Sequence, residues 1–245
     1  MEVSKKIIFI KDWILNYVNS MPSKANSLVI GISGGIDSSV SSTLCAMTGL
    51  KTIVLTMPIK QIENQHNLSL KHQEWLVTKF KNVEAHTVNL DKLFDTFSST
   101  LNNFNNEHGF ANSRARLRMT TLYQVAAANK GIVVGTGNKV EDFGVGFYTK
   151  YGDGGVDISP IADCNKSEVW ELGKELDILK EIIEAPPTDG LWNDGRTDEG
   201  QLGFKYDELE DAMKNVNSPH RLEYEKIRKQ NLHKMEPIPV CKIPS

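Results

Sequence analysis

The sequence is poor in the features that mark several large classes of protein. Its 245 residues hold three cysteines, Cys45, Cys164 and Cys241, and none is in CxxC spacing. That argues against a disulfide framework or a thiolate zinc site and predicts a reducing, cytoplasmic setting. No apolar run approaches the ~18 residues of a membrane span. The longest, 27–32 and 131–135, are strand-sized. The opening Met1-Glu-Val-Ser-Lys-Lys has no signal-peptide apolar core. Basic residues are not in excess: 28 Lys and Arg face 31 Asp and Glu, a net charge of −3. That balance argues against a protein that coats nucleic acid, and no membrane partner is expected. His66, His72, His86 and His108 show no metal-ligand spacing and read as structural or surface residues. There is no internal repeat and no low-complexity segment.

What is present is an ordinary globular composition, 40% hydrophobic and 24% charged, undivided by any linker-like shift. A single domain over 1–245 is expected. Helical periodicity over 4–19 is followed by a buried strand at 27–32, a glycine turn and a helix over 38–48. Strands at 51–57, 83–90 and 131–135 alternate with helices over 63–80, 91–102 and 113–129. Continuous apolar strands alternating with helices predict an α/β fold, a doubly wound parallel sheet with helices on both faces. Shorter helices are expected over 167–176, 206–214 and 219–231. Between them, 188–204 is polar, carries four glycines and reads as a mobile functional loop containing Asp194, Asp198 and Glu199.

The strongest chemical signal is Gly31-Ile32-Ser33-Gly34-Gly35-Ile36-Asp37-Ser38. It lies at the carboxyl end of the first strand and opens a helix, where successive backbone N–H groups and the helix N-terminus make an anion cradle. It is neither a Walker A loop nor GxGxxG. Asp37 inside an anion site makes sense when a cation accompanies the anion, and Mg²⁺ is the usual companion of phosphates. Downstream, Gly135-Thr136-Gly137 follows another buried strand at the same end of the sheet, with Glu141 and Asp142 as two candidate carboxylates for that metal. In the 113–129 helix, Arg114 and Arg118 share a face, whereas Arg116 points away.

The string from Ser33 to Ser38 matches the SGGxDS loop of the N-type ATP pyrophosphatases. By itself the loop leaves NAD, GMP, asparagine and argininosuccinate synthetases and tRNA-modifying enzymes open. Four further stretches, Arg114–Tyr123, Gly135–Asp142, Phe147–Asp157 and His233-Lys234, resemble the NAD synthetase family in register over about 28–235. The resemblance implies an adenine nucleotide alpha hydrolase-like fold. It also implies ATP-dependent amidation of deamido-NAD⁺ to NAD⁺ with ammonia, through an adenylated intermediate, releasing AMP and pyrophosphate.

It assigns Gly31–Ser38, Thr136, Lys166 and Thr188 to ATP. Asp37 and Glu141 are assigned to Mg²⁺, and Asp37, Glu141 and Lys166 to catalysis. Arg116, Lys150, Asp157, His233 and Lys234 are assigned to deamido-NAD⁺. The implied assembly is a homodimer in which Arg116, Asp157, His233 and Lys234 act across the interface. Leu117, Leu122, Val125 and Ala126 of the Arg116 helix are then candidates to bury against their mates, or within the chain. The segment from Glu141 to Lys150 is one residue longer than in some members, and Thr56 stands where some carry an arginine. The adenine contact is then expected from the backbone near Met57. A GMP synthetase-like or tRNA-modifying enzyme is the enzymatic alternative. A protein that only binds nucleotide is the other, against which Glu141, Lys150 and Asp157 speak.

Overall fold

The computed structural model describes residues 1–192 and 196–244 of the chain. Four strands, β1 (Ser27–Gly31), β2 (Lys51–Thr56), β3 (Val83–Thr87) and β4 (Gly131–Val133), form one parallel sheet in the order β3-β2-β1-β4. From β1 the chain steps outward to β2 and β3, then returns to β1's other side as β4. The crevice between the carboxyl ends of β1 and β4 is therefore the topological switch point, where α/β sheets bind ligands.

Side-chain alternation along the strands divides the core. Leu28, Ile30, Val54 and Ile132 face one layer, with Ile10 and Ile14 of α1 (Val3–Ser20), Val40 and Leu44 of α2 (Ile36–Met47) and Leu172 of α6 (Lys166–Glu175). Val29, Ile53, Leu55 and Val133 face the other, with Phe94 of α4 (Asp91–Thr100) and Ala126 of α5 (Glu107–Ala128). The doubly wound reading of the sequence holds. Leu117, Leu122 and Val125, each half-buried, also pack against this second layer. Strand β3 lies at the sheet edge and is half exposed. The remaining helices are α3 (Glu63–Lys79), α7 (Lys180–Ile183), α8 (Asp198–Leu202), α9 (Tyr206–Lys214) and α10 (Arg221–Met235). Among the described residues no helix is long and apolar enough to cross a membrane.

Several boundaries differ from the sequence reading. Helix α2 begins at Ile36, which puts Asp37 in its first turn rather than in a loop. Helix α5 begins at Glu107, because the Asn106 side chain caps it by accepting from the Gly109 N–H at 2.7 Å. Residues 139–145 form a π-helix. A π-helix closes i→i+5 rather than i→i+4 hydrogen bonds and is a wider coil than an α-helix. Its apolar Val140 and Val145 pack with Tyr206 and Leu209 of α9 and Tyr224 of α10, forming a third cluster. Carbonyls at its end are satisfied by α10: Arg228 donates to Phe143 and Gly144, and Asn231 donates to Val145 at 2.9 Å. In the 188–204 segment Asp198 and Glu199 lie in α8, and Asp194 lies outside the described residues.

Candidate active site

Strand β1 ends in the loop Ile32–Gly35. The Ile32 N–H still donates to the Leu55 carbonyl at 2.8 Å, after which the chain leaves the sheet. Gly34 turns it with φ +92, a value that favours glycine. Hydroxyls hold the loop's shape: Ser33 Oγ accepts from the Gly35 N–H at 3.1 Å, and Ser38 Oγ accepts from the Ser33 N–H at 3.2 Å. A cavity of about 230 Å³ opens above the loop. Its walls include Gly31, Ile32, Ser33, Gly35, Ile36, Asp37 and Ser38, with Thr136, Glu141 and Thr188 opposite. The glycine loop and three of the expected nucleotide-side residues thus share one space.

Beside it lies a buried charge cluster. Lys166, the first residue of α6 and 1% exposed, donates to Asp37 Oδ2 at 2.7 Å and to Glu141 Oε1 at 2.8 Å. Burial disfavours the lysine ammonium, but Asp37 and Glu141 outweigh it and hold its pKa above the ordinary lysine value. Burial also pushes the Asp37 carboxyl up, offset in part by Lys166. Glu141 is buried too, yet donors from Lys166 and Tyr206 hold it low. The Tyr206 hydroxyl is 2.5 Å from Glu141 Oε1 and 3.4 Å from Asp198 Oδ2. Asp198 is 5% exposed, and its Oδ1 has no hydrogen-bond partner among the described residues. Burial first, then the Glu141 charge, raises its pKa to about 8.

Of the two adjacent carboxylates, Glu141 shares Lys166 with Asp37. Asp142 turns instead against Gly137, where an added Cβ would lie 1.8 Å from its Oδ2. Burial and the neighbouring carboxylates raise its pKa well above the usual range. Two oxygens converging on one cation, from elements 104 residues apart in sequence, are a hard donor set that suits a divalent ion as well as an ammonium.

The residues expected at deamido-NAD⁺ form a second group. Arg116 is exposed on α5 and donates to the Lys150 carbonyl at 3.3 Å. Lys150 Nζ donates to the His233 carbonyl at 2.9 Å, and Lys234 Nζ to the Tyr148 carbonyl at 2.9 Å. Arg116, Lys150, His233 and Lys234 are therefore neighbours within one chain. Asp157 joins none of these contacts; it accepts from the Tyr123 hydroxyl at 3.0 Å and the Val133 N–H at 2.7 Å. The Met57 carbonyl is engaged by Arg118 Nε at 3.0 Å, and burial lowers the Arg118 pKa to about 10.

Sequence reasoning missed Asn138 and Tyr206. Asn138 is the fully buried N-cap of the π-helix, and Asn-x-x-Glu at 138–141 is a capping pattern that was there to be found. Tyr206 gives no such signal, because only the tertiary fold brings α9 to Glu141.

The chain matches the family described as NAD synthase over residues 6–243. It is 36% identical over 204 residues to the NH(3)-dependent NAD(+) synthetase of Carboxydothermus hydrogenoformans, covering 80% of this chain and 81% of that one. Among solved structures it is similar to an NMN synthetase from Francisella tularensis, with TM-score 0.91, 32% identity and coverage of 99% and 100%. It is similar also to the NH3-dependent NAD synthetase of Campylobacter jejuni, with TM-score 0.78, 26% identity and the same coverage. A site of this construction, in a chain matched over nearly its whole length, belongs to the NAD synthase family.

Proposed function

We propose that the protein makes NAD⁺ by ATP-dependent amidation of deamido-NAD⁺ with ammonia, in the cytoplasm. The observation that carries this reading is the Asp37–Lys166–Glu141 cluster, set beside a glycine loop at the switch point of a chain in this family. A nicotinate carboxylate is anionic and a poor electrophile. Its oxygen attacks the α-phosphorus of ATP, the bond from that phosphorus to the bridging oxygen breaks, and pyrophosphate leaves. Ammonia then adds to the acyl-adenylate carbon, loses a proton, and AMP departs as the amide forms.

In this scheme the Ser33–Ser38 backbone and the start of α2 bind the phosphates. Lys166 stabilises charge on the α-phosphate and the leaving group. Asp37 and Glu141 would hold Mg²⁺, which when bound neutralises phosphate charge. The convergence of both carboxylates on the Lys166 ammonium supports that assignment. Segment 188–204 would act as a lid. Pro187, Thr188, Asp189, Leu191 and Asp198 line the cavity beside the glycine loop, which supports that role. Arg116, Asp157, His233 and Lys234 would bind deamido-NAD⁺ across a homodimer interface, and Lys150 would bind it as well. The exposure of Arg116 and His233 is compatible with this. The test is pyrophosphate release that requires deamido-NAD⁺ together with ATP, and AMP release that requires ammonia as well. Release without deamido-NAD⁺ would sink the reading.

A second reading keeps the chemistry and shortens the acceptor. The TM-score of 0.91 to a protein named NMN synthetase favours a mononucleotide, nicotinate mononucleotide, as substrate. Both acceptors present the same carboxylate. The ratio of their kcat/KM values decides between them.

A further inference from the structure

We propose that Asn138 is a positioning residue for the amidation site, clamping Asp37 and Glu141 in the geometry that receives the metal and nucleotide. The inference rests on the reading of those two carboxylates given above. Asn138 immediately follows the Gly135-Thr136-Gly137 turn and is 0% exposed. Its Oδ1 accepts from the Val140 N–H at 3.0 Å and the Glu141 N–H at 3.1 Å. Its Nδ2 donates to Asp37 Oδ1 at 2.9 Å, reaching a residue 101 positions away. One amide thus fixes the backbone that carries Glu141 and the carboxylate plane of Asp37.

The orientation of the amide follows from its partners. Two backbone donors demand the oxygen on one side, and the carboxylate demands the nitrogen on the other; a flipped amide would oppose like groups at both ends. The division of labour with Lys166 is equally clear. Lys166 also touches both carboxylates, but it carries the charge that an entering divalent ion replaces. Asn138 is neutral and uses the other oxygen of Asp37, so its hold persists when cations exchange. A buried, fully engaged amide at this point specifies one geometry, whereas a purely structural cap needs only an acceptor.

That distinction supplies the test. Asn138→Asp and Asn138→Ser both retain a capping oxygen for Val140 and Glu141, and both lose the amide nitrogen that reaches Asp37, the serine hydroxyl being too short to cap and span to it at once. The aspartate variant also places like charge against it. Binding of Mn²⁺ in the presence of a non-hydrolysable ATP analogue is read by titration, alongside thermal unfolding and steady-state kinetics. Both variants are expected to unfold within a few degrees of wild type, to bind Mn²⁺ at least ~10-fold more weakly, and to lose kcat while KM for the nicotinate substrate holds. A ~10-fold change corresponds to about 1.4 kcal/mol, just under the ~1.5–3 kcal/mol of a hydrogen bond to a charged group. Mn²⁺ affinity and kcat within twofold of wild type in either folded variant would overturn the proposal. If the aspartate variant fails to fold, the serine variant decides alone. Asp37→Ala is the control for the metal reading itself. Should wild type and Asp37→Ala bind Mn²⁺ alike, that reading falls, and Asn138 is judged on kcat for pyrophosphate release, where no loss refutes it.

Discussion

The Nζ of Lys166 lies 2.7 Å from Oδ2 of Asp37 and 2.8 Å from Oε1 of Glu141, so a tethered ammonium occupies the space between the two candidate metal carboxylates. One ammonium thus offsets part of the charge of the two carboxylates. Free Mg²⁺ must compete with a cation held at high local concentration, whereas Mg²⁺ arriving on ATP brings phosphate oxygens for Lys166 to move to. Lys166→Met removes the ammonium at similar volume and leaves two buried carboxylates facing each other. Breaking such a cluster is expected to cost about 3–5 kcal/mol. The expected signature in thermal unfolding is specific: Mg²⁺ or Mn²⁺ without nucleotide raises the Tm of the variant and leaves wild type unchanged. Equal shifts in both proteins would show that Lys166 does not hold the metal position.

Asp198 would tie the proposed 188–204 lid to this cluster through pH. Its side chain is buried under α8 and hydrogen-bonded by Tyr206, with its pKa raised to about 8 from the usual 3.8. A carboxyl whose pKa is higher in the docked state favours docking while protonated. The stabilisation is complete below about pH 4 and is lost progressively as pH rises through about 8. Proteolytic cleavage within 188–204 should therefore accelerate between pH 6 and pH 9 in the ligand-free protein. Asp198→Asn keeps a neutral side chain at every pH and should flatten that dependence. Cleavage rates that rise identically in both proteins would remove Asp198 from the explanation.

The parts of the fold legible in the sequence are those set by local pattern. Strands β1, β2 and β4 are short apolar runs bounded by Gly or Pro. The Ser33–Ser38 string announces its loop without tertiary help. The start of α5 was not legible, because 107–112 has no apolar period and only Asn106 marks it. The π-helix was hidden for a different reason. It arises where Arg228 and Asn231 of α10 bind its final carbonyls, and these are contacts of long sequence separation. The site divides along the same line. Asp37 and Glu141 each sit in a recognisable motif and Lys166 is reached only through the family resemblance, whereas Tyr206 acquires its role only when α9 packs on the π-helix. For Leu117 and Leu122 helix-face arithmetic left a second copy or the sheet as partner; within the chain they pack, half-buried, against the layer on the sheet.

Acid stability should reflect His72. The ring is fully buried, stacks on Trp75 with centroids 5.4 Å apart, and lies 3.0 Å from Ser42 Oγ through Nε2. Burial lowers its pKa to about 4 from 6.5. A group with a depressed pKa in the folded state contributes stability that is complete above its unfolded pKa and lost as pH falls. The window here runs from about 6.5 down to about 4, and the loss is at most about 3 kcal/mol. His72→Phe keeps the ring stack and cannot take up a proton, so its Tm should fall less than that of wild type between pH 7 and pH 4.5. Parallel Tm curves would place the acid sensitivity elsewhere.

The proposal that two copies of the chain share each site can be tested by mixing variants. Asp37 belongs to the charge cluster under the glycine loop, and Lys234 belongs to the group of cations around Tyr148 and Lys150. Asp37→Ala and Lys234→Ala are each expected to be inactive. If one chain supplied both groups to its own site, every mixed dimer would carry one lesion in each site, and mixing would restore nothing. If Lys234 serves the site of the second copy, the geometry is different. A mixed dimer then has one site bearing both lesions and one bearing neither. Random exchange makes about half the dimers mixed, with one of two sites intact in each, so activity should recover to about one quarter of wild type. Exchange must be followed independently, by a mass tag on one variant, so that silence is informative. Recovery near one quarter supports the shared site. No recovery with exchange complete would return Lys234, and with it the neighbouring Arg116 and His233, to the site of their own chain.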